Sequence, residues 1–164
     1  MTKEQLQRAM TAAEDAMGLA KKLIRDNNPM KHQFDPDEND CIIGYGRDLD
    51  KLPLDPSELS ELMRHGLTYP FTDSIKVTYA EFLLHRQIVK ATHIAIDFVG
   101  ASTFQHLSVK RQQFLIHIAD DLSYPRLLKL KRFVKYLQNG VYELATSELH
   151  GYDHPMGIRA LMGG

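Results

Sequence analysis

The chain has 164 residues, 43% of them apolar and 25% charged, with 20 basic and 21 acidic side chains and a formal net charge of −1. That composition describes one globular domain, large enough to bury roughly 70% of its unfolded surface without cross-links. The charge balance gives no support to nucleic acid as a partner, the single cysteine, Cys41, excludes an internal disulfide, and no apolar run approaches the roughly 20 residues that span a bilayer.

The N-terminal stretch lacks the apolar centre of a signal peptide, so neither a leader nor a membrane partner is expected. Leu6, Met10, Ala13, Met17, Ala20 and Ile24 recur at three- and four-residue steps, which predicts one amphipathic helix capped by Thr2. It should stop at Asp26-Asn27-Asn28-Pro29, where side-chain amides compete for backbone hydrogen bonds and proline disfavours helical geometry in the residue before it. A polar stretch with the turn composition Asp35-Pro36-Asp37 follows, and Cys41 to Gly46 reads as a short strand broken by glycines.

A short helix is expected from Ser57 to His65, opened by Asp55-Pro56 and closed by Gly66. Thr78 and Glu81 have capping-box spacing and should open a long helix ending at Gly100. Ser108 should cap the next, through Phe114 and Leu122; further helices are expected from Pro125 to Gln138 and from Val141 to Leu149. The tally is about six helices and one small β element, a mainly helical α+β layout with the sheet toward the N-terminal side.

Leu23-Ile24-Arg25-Asp26-Asn27-Asn28, the polar stretch to Phe34, and Ile43-Gly44-Tyr45-Gly46-Arg47-Asp48-Leu49-Asp50 together resemble, without a gap, the active-site end of the phage-type lysozymes. Members of that muramidase family typically read Leu-Ile-Arg-x-Glu-Gly and, further on, Thr-Ile-Gly-Tyr-Gly-Arg-Asn-Leu-Asp. Thr78 to Ile88 is similar to the start of the family's connecting helix, Leu107 to Arg111 to another helix opening, and Leu127 to Lys131 with Asn139-Gly140 to a third segment. The resemblance implies a single lysozyme-like domain over residues 1–164, with residues 1–18 a helical extension. It also implies cleavage of the bond between N-acetylmuramic acid and N-acetylglucosamine.

Glycosidic cleavage needs an acid for the leaving oxygen and usually a second carboxylate across the sugar. The family's acid falls here on Asn27, which has no proton to give; its second carboxylate falls on Pro36, and its strand threonine on Ile42. No catalytic residue is therefore expected, although Asp26, Asp35 or Asp37 are the carboxylates that could stand in. Asp26 should point elsewhere, being about 100° round the helix from Asn27. Where the family has a sugar-facing Phe-Asn-x-Gly this chain has Asp120-Asp121-Leu122-Ser123, and the usual C-terminal tryptophan is absent, since the chain has none.

The residues expected to form a binding groove are thus Gly44, Tyr45 and Gly46 with an acidic lip of Asp35, Asp37, Glu38 and Asp40, joined by Asp120 and Asp121. Such a groove would attract a basic protein surface. His150 and His154, four apart around Asp153, read as a solvated turn rather than a metal site, and no cofactor is expected. Lys129, Lys131, Arg132 and Lys135 read as the wet face of a helix, and Cys41 as a small buried hydrophobe. The function expected is that of a catalytically inactive lysozyme-like protein, binding or inhibiting a host or bacterial protein in the cytoplasm of the infected bacterium or from the virion. The alternatives are an active endolysin and a peptidoglycan binder that does not cleave.

Overall fold

The computed structural model describes residues 1–33, 41–67 and 74–163. The described residues are mainly helical with a small antiparallel hairpin, the α+β class expected. Among the described residues there are nine α-helices: α1 Lys3–Ala12, α2 Glu14–Asn27, α3 Pro56–Arg64, α4 Val77–Val99, α5 Ala101–His106, α6 Val109–Asp121, α7 Tyr124–Leu127, α8 Lys131–Gln138 and α9 Tyr142–Ser147. A 3-10 turn, Ile158–Leu161, follows. The chain clusters into two compact units, Met1–Ala20 with Ile88–Gly164, and Lys21–Gln87, with the boundaries falling inside α2 and α4.

The single N-terminal helix expected from the periodicity is two. Thr2 and Gln5 form a capping box that opens α1, and at Ala13 the backbone turns to φ −87°, ψ −3° before α2 begins. The turn shifts the buried stripe, so that Ala9, Ala13, Ala16 and Ala20 are fully enclosed while Leu6 and Met10 are half-buried. The helix expected from Pro125 to Gln138 is likewise two. Lys129 and Leu130 donate to carbonyls three residues back, Arg126 and Leu127, which tightens the chain between α7 and α8.

The unit Lys21–Gln87 holds the hairpin. Strands β1 Ile42–Ile43 and β2 Arg47–Asp48 pair antiparallel, Ile42 opposite Asp48 and Ile43 opposite Arg47. Lys31 and Gly44 exchange backbone hydrogen bonds of 2.9 Å each, fastening the chain after α2 to the hairpin. Beneath lies an apolar cluster of Ile43, Leu49, Leu62, Leu67, Ile75, Tyr79, Ala80 and Leu83, with Cys41 and Tyr45 packed against it. Helix α3 starts as read from the sequence: the Asp55 carboxylate accepts from the Glu58 amide at 2.8 Å, and the Glu58 carboxylate accepts from the Asp55 amide at 3.1 Å.

The expected cap of α4 is not made. The helix begins at Val77, a residue before Thr78, whose hydroxyl lies 3.4 Å from His65 Nδ1. Glu81 does not reach back to the helix start because its carboxylate is taken by Arg25.

In the other unit, α6 is buried on every side from Gln112 to Ala119, polar residues included, and its Ser108 cap accepts from the Arg111 amide. Helix α1 packs against α5 in this unit, so the N-terminal residues are part of its structure. Among the described residues no helix is long and apolar enough to cross a membrane.

Candidate functional site at the hairpin

The hairpin is positioned by contacts that account for much of the sequence motif. Gly44 and Gly46 have φ of +62° and +85°, the left-handed region that an L side chain disfavours. At Gly44 a Cβ would meet the Ala80 methyl at 3.4 Å; at Gly46 it would lie 2.7 Å from Asn28 Oδ1. Asn28 itself is held by a 2.9 Å hydrogen bond from its Nδ2 to the Ile24 carbonyl. The second glycine is therefore fixed by the end of α2 and serves packing as well as the turn.

Arg47 is buried and fully engaged. Its two terminal nitrogens each lie 2.9 Å from a Glu58 oxygen, Nε donates to the Leu52 carbonyl at 2.8 Å, and Nη2 donates to the Pro53 carbonyl at 3.1 Å. Asp55, at the start of α3, accepts in turn from Arg86 of α4 at 2.7 Å. The α3 amides and the Arg86 guanidinium hold the Asp55 carboxyl below the usual carboxylate range. The backbone carbonyl of Glu58 accepts from the buried Tyr79 hydroxyl at 2.9 Å, and burial pushes that phenol well above its ordinary pKa.

At the opposite side of the turn stands Tyr45, half-buried. Its hydroxyl donates to Glu81, whose carboxylate also accepts from Arg25 Nη1 at 2.9 Å. Burial first, then the hydrogen bond and charge of Glu81, raise the Tyr45 phenol above its ordinary pKa, and the Arg25 charge opposes them. Arg25 and Glu81 are about one-third and two-fifths exposed, so the pair is worth at most about 1 kcal/mol, and its role is to fix three side chains at the hairpin rather than to stabilise the fold.

Asn27, where the resemblance would put an acid, is exposed, with Nδ2 bonded back to the Leu23 carbonyl at 2.9 Å. Asp26 is exposed too and pairs with Lys22 at 2.8 Å, one turn back on α2. Ile42 is half-buried in β1. Asp35, Pro36, Asp37, Glu38 and Asp40 lie outside the described residues. Asp120 and Asp121 belong to the other compact unit, where Asp121 accepts from the Tyr152 hydroxyl at 2.9 Å.

The hairpin thus meets the end of α2 where Gly46 lies against Asn28. Glu81 was not singled out by sequence reasoning. Its signal was present, because Glu81 stands in the segment of resemblance at Thr78 to Ile88, but the capping-box spacing gave it another explanation. Lys21 and His85, 3.4 Å apart, join the same helix pair. Chemically the arrangement offers an ion pair, a phenol held by a carboxylate, and two side-chain amides. Among the described residues no three His, Cys, Asp or Glu side chains are arranged to hold a metal.

No protein-family model and no curated protein matches the chain.

Proposed function

We propose that this chain is a phage-type lysozyme-like protein without muramidase chemistry, which binds a host or bacterial protein through the hairpin that carries Tyr45. The observation that supports it is the state of Asn27. An exposed amide tied to its own helix stands where the resemblance requires an acid, and an amide cannot protonate a leaving oxygen. Asp26 is engaged with Lys22, and Glu81 with Arg25 and Tyr45.

The partner's contact surface is basic in this reading, because Asp35, Asp37, Glu38 and Asp40 crowd four acids into six residues just before the hairpin. Its place of action is the cytoplasm of the infected bacterium. The resemblance keeps cell-wall sugar in play as an alternative ligand, and fold alone does not choose between them.

The test is affinity purification from bacteria making the full chain, run beside a Tyr45→Ala variant and a pull-down on purified peptidoglycan. Expected is a stoichiometric protein partner that the variant loses. Retention on peptidoglycan with no released fragments, and no protein partner, would replace this reading with that of a glycan binder.

A further inference from the structure

In the unit built around α6, two imidazoles lie against each other. The rings of His117, on α6, and His154, in the segment after α9, have centroids 4.3 Å apart and planes at 32°. His117 is 1% exposed, and the His154 side chain is 10% exposed. His154 Nδ1 accepts the Met156 amide at 3.1 Å, so in the neutral ring Nε2 carries the proton, directed toward Asp121 Oδ2 at 3.9 Å. Gln113 Nε2 faces His117 Nε2 at 3.5 Å, which makes that nitrogen an acceptor in the neutral ring. Tyr152 completes the contact: its hydroxyl donates to Asp121, its ring meets the Phe114 ring edge-on at 5.9 Å, and it stacks parallel to His154 at 6.2 Å.

We infer that residues 150–157 form an acid-released latch on α6, closed while both stacked imidazoles are neutral. A proton added to His117 would bury a charge and set a second donor against the Gln113 amide. A proton on His154 would lie against the same partner ring. The charged groups facing the pair are Asp121 on α6 and Asp153 on the segment itself, with Asp120 acting on Tyr152; all are acidic. Asp121 and Asp153 favour a charged His154, yet burial outweighs them and its pKa is lowered. Burial, and secondarily His154, pushes His117 down from the ordinary 6.5 to about 4.

The released segment restores ordinary imidazoles, so between those two values the open state binds more protons and acid favours it. For His117 alone the open-to-closed ratio rises about twentyfold from neutral pH to about pH 5. The next turn has an anchor of its own: Arg111 Nε donates to the Leu161 carbonyl at 2.6 Å, and its guanidinium lies 3.6 Å from the Tyr142 ring centre. That anchor confines the opening to the segment before Ile158.

The experiment is amide hydrogen exchange read by mass spectrometry on the full chain at neutral pH and near pH 5, corrected for the intrinsic pH dependence of exchange. Expected is a loss of protection of about twentyfold in peptides covering 150–157, with α8 peptides unchanged. Protection that is independent of pH, or lost equally in α8, would overturn the inference. His117→Phe, which keeps a ring and removes the proton site, should flatten the response; if it does not fold, His117→Leu carries the same test. A full twentyfold response in the folded variant would also overturn it.

Discussion

Asn28 Oδ1 stands 2.7 Å from the place a Cβ on residue 46 would occupy, so the last turn of α2 and the hairpin meet through an atom that glycine leaves out. The contact binds together the two halves of the motif that gives the sequence its resemblance.

Gly46→Ala should destabilise the protein by about 2–3 kcal/mol, combining the clash with the strain of a left-handed alanine. In an Asn28→Ala background the cost should fall to about 1–2 kcal/mol, because only the backbone strain is left. Gly18, inside α2 with nothing within 4 Å of its Cβ position, should behave oppositely: Gly18→Ala should stabilise by about 0.5–1 kcal/mol. Urea unfolding of the parent chain and the four variants measures all of this.

Glu58→Gln should cost about 3 kcal/mol or more, because it leaves the buried Arg47 guanidinium without its charge partner. Arg47→Met combined with Glu58→Gln should cost less than the sum of the two single changes, since the double variant has no orphaned charge. Equal, additive losses in a double-mutant cycle would show that the pair does not act as one unit.

Glu81→Gln should bring the Tyr45 phenol back toward its ordinary pKa, because the carboxylate that accepts from it and repels its anion is gone. Arg25→Ala should shift the same phenol further up, since the Arg25 charge lowers it. Titration of the Tyr45 ring by NMR at high pH reads both shifts, and opposite signs are the expected signature.

What the sequence made legible was local. Capping at Thr2, Asp55 and Ser108, the end of α2 at the asparagines, and the glycine hairpin are each decided within a few residues, by side chains that bond the backbone beside them. Long-range partners escaped it. Thr78 and Glu81 have the spacing of a cap, but Arg25 lies 56 positions from Glu81 in the chain and takes its carboxylate. The break at Ala13 was hidden because the apolar periodicity continues through it on both sides. His154 was legible only as a neighbour of His150, whereas its contact is His117, on a helix buried all round whose polar residues carry no surface pattern. At the hairpin, the glycines could be read from the sequence, while Arg47 and Asn28 acquire their roles only from what the fold brings against them.

The most direct measurement is the release of new reducing ends from purified peptidoglycan by the full chain, across acidic to basic pH. No release above the protein-free control is expected. Release that Asp35→Asn or Asp37→Asn abolishes would contradict the proposal, because it would assign to those carboxylates the proton transfer that Asn27 cannot perform.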